Sequence, residues 1–351
     1  MSSKFVPVMW NRTKYVYDAA LVLAVGLYLV GFVEIGTRLQ SAQTPLDAQT
    51  LLIRAFGTCA FLMLTLALAI GPLARLDRRF LPLLYNRRHL GVATCLVAIG
   101  HAYHVLGWYF AYSPLSPGYA LLAADTGFSQ FRGFPFIPFG IAALAILAVL
   151  AATSHDFWLA FLTAPVWKAL HMSIYAAYTL VVLHVSFGAL QDTRSLALPA
   201  LVMLSAATLA ALHIAAARKT RAESQPAALH AGWVDAGAVA DFAEDRAVVV
   251  AFADAESVAI FRHADRLNAV SNVCAHQNGP LGEGRIVDGC ITCPWHGFQY
   301  RLEDGCAPPP FTEKIATYNL ALADGRVLLD PVPNAPGTPT KALALDEAVR
   351  P

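Results

Sequence analysis

The chain has 351 residues, 57% of them hydrophobic and 14% charged, with a formal net charge of +1 and a mean hydropathy of +0.51. That is too apolar for a soluble globule, and its basic residues read as the rim of a membrane protein and not as a nucleic-acid surface. Six apolar stretches approach the roughly 20 residues that a helix needs to cross a bilayer. They run over about 16–36, 51–72, 89–110, 136–153, 169–188 and 196–217. The first follows Lys4, Arg12 and Lys14, and no small-residue site marks it for cleavage as a signal peptide.

Lys and Arg set the expected orientation. With the N-terminus inside, the inner segments hold Lys4, Arg12, Lys14, Arg75, Arg78, Arg79, Arg87, Arg88, Lys168, Arg218, Lys219 and Arg221. The outer loops hold only Arg38, Arg54, Arg132 and Arg194. Both termini are therefore expected in the cytoplasm, as in an integral protein of a bacterial inner membrane. Charge is also split along the chain. Residues 1–228 carry 16 basic and 8 acidic side chains, whereas residues 229–334 carry 7 and 14. An acidic domain tethered beside a basic membrane face is expected to dock there.

The apolar stretches contain histidines, which are costly in lipid and so point to a role. "KALHMSIYAAYTLVVLHVSFG" places His171 and His184 thirteen residues apart, on one helix face and about 20 Å apart along the axis. A neutral imidazole is a good axial ligand for haem iron, and two vertically spaced histidines suit two haems. The partner helix "RRHLGVATCLVAIGHAYHVLGW" offers His89, His101 and His104. His101 lies at the depth of His184, and His104 shares its face. His89 and His171 lie toward the inner end. The motifs "GPLARL", "NRRHLG" and "WKALH" resemble the ferric-reductase-like transmembrane domain, over nearly all of residues 15–216. That family includes ferric reductases, NADPH oxidases and the haem subunit of a bacterial methionine-sulfoxide reductase. The resemblance implies haem b, one or two per chain, with His101, His171 and His184 as ligands. His89 and an unidentified residue are the alternatives for completing the inner site. His155 and His213 are set aside as bystanders.

Beyond a polar stretch at 218–228, the pattern changes to short β-branched runs with Asp, Asn and Gly turns. "ATYNLALADGRVLLD" reads as a hairpin turning at Asp324-Gly325. Within this region Cys274-x-His276 is followed, after sixteen intervening residues, by Cys293-x-x-His296. A structural zinc knuckle usually pairs cysteines in one hook and histidines in the other. One cysteine and one histidine in each hook suit a Rieske [2Fe–2S] centre instead. The stretch "VCAHQNGPLGEGRIVDGCITCPWHGFQYRLEDGCAPPP" resembles the Rieske family well beyond these four residues. Gly279 and Trp295 stand where the high-potential members carry a disulfide, so the resemblance is to the ferredoxin type. Phe298 removes one expected donor to the cluster, and Tyr300 offers another. Gly279, Gly282 and Gly297 are expected to let backbone approach the sulfurs. Cys290 and Cys306 are expected to serve packing.

The expected fold is therefore a membrane all-α six-helix bundle followed by a small all-β Rieske domain. The expected divisions are a cytosolic tail at 1–15, a haem domain at 16–217, a linker at 218–228, a Rieske domain at 229–334 and a tail at 335–351. Relatives of the membrane half draw electrons from a flavin and nicotinamide domain. No G-x-G-x-x-G motif follows a strand here, and the Rieske domain takes the donor's place. The reading is transmembrane electron transfer from a cytosolic reductase or ferredoxin, through the cluster and haem, to an external acceptor. A quinone-linked or redox-sensing protein with a different electron direction is the alternative. A Rieske oxygenase would need a 2-His-1-carboxylate iron site on a further domain, and the residues after 334 contain no histidine.

Overall fold

The structure is a computed structural model. It describes residues 12–39, 46–80, 83–84, 86–123, 134–154, 158, 162, 164–191, 196–223, 229–230, 232–252, 255–276, 278–294 and 297–345. The chain divides into two compact units, one helical and one rich in β-structure.

The helical unit contains α1 (Arg12–Leu39), α2 (Ala48–Leu76), α3 (Arg87–Tyr112), α4 (Pro117–Ala123), α5 (Ile137–Ala152), α6 (Ala164–His171) and α7 (Ile174–Phe187), with much of α8 (Ala197–Glu223). Five segments are long and apolar enough to cross a membrane: Lys14–Leu39, Ala48–Leu76, Arg87–Ala111, Val166–Gln191 and Ala197–Lys219. Helix α5 has 16 residues. At 1.5 Å per residue it spans about 24 Å, short of a hydrocarbon core of about 30 Å. The described residues thus give five long spans and one shorter apolar helix, where the sequence suggested six alike.

The core of this unit is built by Phe61, Leu64 and Leu68 of α2, Cys95 of α3, Leu147 of α5, Ala177 and Tyr178 of α7, and Val202 and Leu209 of α8. Helix α1 keeps Val22, Leu27 and Val30 exposed, as a lipid-facing helix does. Its polar ties inward include Tyr28, which donates to Thr58 Oγ1 at 2.9 Å, and Asp18, which meets His89. Asp47 caps α2, accepting from the Thr50 N–H at 2.9 Å. The expected span at 169–188 is two helices. Between α6 and α7 the bonds tighten, Ser173 N–H reaching Leu170 O at 3.0 Å and Tyr175 N–H reaching Met172 O at 3.2 Å. These three-residue steps mark a local 3₁₀ distortion.

The second unit includes twelve short strands in three sheets. The first sheet runs β1 (Leu229–His230), β2 (Trp233–Ala238), β11 (Arg326–Leu329), β10 (Leu320–Ala323). The second runs β12 (Leu343–Ala344), β5 (Arg266–Ser271), β4 (Val258–His263), β3 (Ala247–Val250), with β9 (Thr317–Tyr318) paired to β5. The third is β6 (Arg285–Val287), β7 (Cys290–Thr292), β8 (Gln299–Arg301). Strand β4 is buried on both faces, so it reads as the unbroken apolar run Val-Ala-Ile-Phe. Its period of two sends Val258 and Ile260 into one core and Ala259 and Phe261 into another. The second of these cores also contains Cys274 and Cys293.

The hairpin at Asp324-Gly325 forms, with both residues at positive φ as a type I′ turn requires. Asp288-Gly289 turns β6 into β7 in the same way. Two expected boundaries move. Helix α8 continues to Glu223, because "RKTRAE" is composed largely of good helix formers, so the first six residues of the expected linker are helical. Residues 335–345 pack onto the β unit and do not hang as a tail. β12 pairs with β5, Thr340 N–H donates to Glu303 O at 2.8 Å, and Leu345 is buried.

Candidate functional site

Two loops carry the Cys/His hooks, and they are built alike. Cys274 follows β5, and Cys293 follows β7. In the first loop, the Cys274 N–H donates to Gly279 O at 2.9 Å, and Cys274 O accepts from the Asn278 N–H at 2.7 Å. In the second, the Cys293 N–H donates to Phe298 O at 2.8 Å, and Cys293 O accepts from the Gly297 N–H at 2.9 Å. The fourth residue after each cysteine, Asn278 or Gly297, has positive φ. Such a turn requires glycine or tolerates asparagine. Both thiols end up buried, Cys274 at 0% and Cys293 at 1% exposure, while His276 is partly exposed.

Aromatic side chains surround the first hook. His276 stacks on Phe298 at 4.8 Å with ring planes 7° apart. The hydroxyl of fully buried Tyr300 lies 3.4 Å from Cys274 Sγ. Burial pushes the Tyr300 phenol far above its ordinary value, and the neighbouring Cys274 and Cys293 sulfurs push it further. The phenol therefore keeps its proton and can donate it toward a thiolate. His296 lies outside the described residues. A Cβ on Gly282 would strike Val249 and the Asn272 carboxamide, so its small size is needed for packing there. None of the six cysteines forms a disulfide, and Cys290 and Cys306 are partly buried.

In the helical unit, His101 of α3 and His184 of α7 face each other with ring centres 6.2 Å apart and planes at 86°. His101 Nδ1 is 2.9 Å from Ile53 O, and His184 Nδ1 is 2.9 Å from Phe136 O. A carbonyl only accepts, so each Nδ1 carries the proton and each Nε2 keeps a lone pair. Two imidazoles bound to opposite sides of one metal, through bonds of roughly 2 Å, have ring centres about 6 Å apart. The pair fits a haem iron by this measure.

Each ring also lies against a glycine four residues beyond its carbonyl acceptor. A Cβ on Gly57 would come 3.0 Å from His101 Nδ1, and one on Gly140 would come 2.8 Å from His184 Nδ1. Neither glycine stood out in the sequence, although each lies 44 residues before the histidine it meets.

The other candidates differ. The Gln49 amide nitrogen donates to His104 O at 2.8 Å and lies 3.3 Å from His104 Nδ1. That nitrogen is thus an acceptor, and the proton sits on Nε2, which leaves no lone pair there for a metal. His104 lines an open cleft of ≈ 680 Å³ with Gln49, Tyr103 and Trp108. His89 Nδ1 meets the Asp18 carboxylate at 2.7 Å, joining α1 to α3. His171 stacks on Trp167 at 3.7 Å, and its Nδ1 is 3.1 Å from Trp167 O.

Comparison with known proteins follows the same division. A model of the ferric reductase like transmembrane component matches residues 56–182, and a model of the Rieske [2Fe-2S] domain matches residues 232–319. The anthranilate 1,2-dioxygenase ferredoxin subunit of Burkholderia cepacia is 35% identical over 100 residues, which is 28% of this chain and 90% of that protein. The protein-methionine-sulfoxide reductase heme-binding subunit MsrQ of Bordetella pertussis is 34% identical over 134 residues, covering 38% of this chain and 59% of that protein. Among solved structures, the complex of reduced oxygenase and oxidized ferredoxin in carbazole 1,9a-dioxygenase contains a chain that is 23% identical. The match covers 30% of this chain and 99% of that one, with a TM-score of 0.29.

Proposed function

We propose, for a chain that belongs to the Rieske [2Fe–2S] family and joins that domain to a ferric-reductase-like, haem b-binding membrane domain, a directed role in transmembrane electron transfer. Electrons enter from a cytosolic donor at the Rieske centre, pass to haem b, and leave to an acceptor at the outer face. The bound groups supply one-electron chemistry, and the protein supplies their positions. Cys274, His276, Cys293 and His296 hold the cluster, with Tyr300 donating toward Cys274. His101 and His184 hold a haem through their Nε2 atoms, and His104 is left out. The Lys and Arg distribution supports inner placement of both termini and of the β domain, with α5 as a short sixth span.

The observation that carries the haem assignment is the facing pair His101 and His184, with both Nδ1 protons committed to backbone carbonyls. His101→Ala and His184→Ala should each remove the same low-spin haem, while His104→Ala retains it. Haem content and the absorption spectrum of the purified protein report this. Retention of that haem in either of the first two variants rejects the pair. A redox titration tests direction: a cluster potential above that of the haem reverses the proposed flow.

A further inference from the structure

We propose that Phe298 is a positioning residue for the [2Fe–2S] centre. Its ring fixes the orientation of the His276 imidazole, and with it the edge through which one electron passes from the reduced cluster to an oxidised haem. This rests on the reading that Cys274, His276, Cys293 and His296 hold the cluster. A histidine bound to a metal through one nitrogen can still turn about that bond, so its neighbours must fix its plane. At His276 the structure shows a flat contact, with the Phe298 ring centre 4.8 Å away and the planes 7° apart. His276 as a whole is partly exposed, while its Nδ1 is buried. The ring therefore stands edge-in, and the stack decides which way its outer edge points.

Phe298 is itself held firmly. It is 3% exposed, with Phe311 edge-on at 5.0 Å and 63° and Tyr300 tilted at 5.2 Å and 51°. Both pairs lie in the range that aromatic rings prefer. Its carbonyl accepts from the Cys293 N–H at 2.8 Å. The backbone of one residue thus ties the second hook, and its ring ties the first. Spacing explains why this residue does so. Phe298 precedes β8, and Tyr300 is the middle residue of that strand. Alternate residues of an extended chain fall on one side. Cys274 and His276 are likewise two apart, and the two patterns match. The Tyr300 hydroxyl meets Cys274 Sγ at 3.4 Å and the His276 backbone N–H, and Phe298 covers the His276 ring. A leucine at 298 would fill the core without offering a plane.

The test uses the full chain in detergent, reduced with dithionite, so that low-spin ferrous haem is EPR-silent and the cluster is not. Pulsed EPR then gives the histidine nitrogen couplings relative to the g axes, and stopped-flow absorbance gives the rate of haem reduction by the cluster. Phe298→Leu should keep the cluster, turn those couplings, and slow haem reduction by about tenfold or more. Phe298→Tyr, which keeps a flat ring, should restore the native couplings and rate. Ile315→Val, which trims the same core, should change neither. Where Phe298→Leu assembles no cluster, Phe298→Met, which fills the site with a flexible chain, is read in the same way. Loss of the cluster from both overturns the inference, because the residue would then serve assembly and not orientation. Native couplings in a loaded Phe298→Leu or Phe298→Met also overturn it, and leave the proposed function standing. So do equal changes in Phe298→Leu and Ile315→Val. A native protein that binds no [2Fe–2S] cluster overturns the proposed function itself.

Discussion

A close contact between a ring and a glycine can govern a ligand as much as the ligand's own chemistry. The His184 imidazole occupies the space where a side chain at residue 140 would begin, and its Nδ1–H bond to Phe136 O holds it there. Gly140→Ala must therefore move the ring off its carbonyl. Forced overpacking of this kind costs about 1–3 kcal/mol, so haem retention at the His101–His184 site should fall by about fivefold or more. Gly57→Ala, with a contact 0.2 Å longer, should be milder, and Gly91→Ala, with nothing within 4 Å, should have no effect. Haem content after gel filtration measures all three. The candidate ligands themselves were legible, because histidine in an apolar run and mixed Cys/His hooks are conspicuous. Their hydrogen-bond states were not. His101 and His104 share a helix face, and only the carbonyl of Ile53 and the amide of Gln49 separate a lone-pair Nε2 from a protonated one.

At the scale of elements, the β unit depends on a segment that no pattern in the sequence marks as part of it. Residues 335–345 follow a Pro-rich stretch without alternation, yet they add β12 to the edge of β5 and bury Leu345. Thr338 O also accepts from the Thr317 hydroxyl at 2.8 Å. A chain of residues 229–345 should fold and assemble a [2Fe–2S] cluster. One ending at 334 should be less stable by about 2–5 kcal/mol, the scale of losing a buried leucine. Urea unfolding followed by the cluster's visible absorption compares the two, and equal midpoints refute the role of the segment. The Asp324-Gly325 hairpin was legible because its turn chemistry is local. The break after His171 was not, since neither Met172 nor Ser173 is a helix breaker. It alters the expectation that His171 and His184 share one helix face.

At the scale of the molecule, the strongest sequence-level feature is the opposition of charge between the halves. Residues 1–228 carry a net +8 and residues 229–334 a net −7. Positive-inside bias accounts for the first figure and leaves the second unexplained. Electron transfer between a soluble domain and a membrane domain needs encounter, and opposite charges speed it. The structure refines which arginines belong to this argument. Arg79 is 91% exposed, whereas Arg87 lies among His171, His213 and Tyr175 inside the helical unit. Helix α8 also takes up residues 218–223, which shortens the flexible reach that an 11-residue coil at 218–228 would give. Attraction between exposed charges is screened beyond about 10 Å at 0.1 M salt. The rate of haem reduction by the reduced Rieske centre should therefore fall as ionic strength rises. Arg78→Glu combined with Arg79→Glu should slow it at low salt and flatten its salt dependence, with haem content unchanged. Stopped-flow absorbance across a salt series measures both effects. A rate indifferent to salt and to charge reversal would mean that packing, and not charge, brings the two centres together.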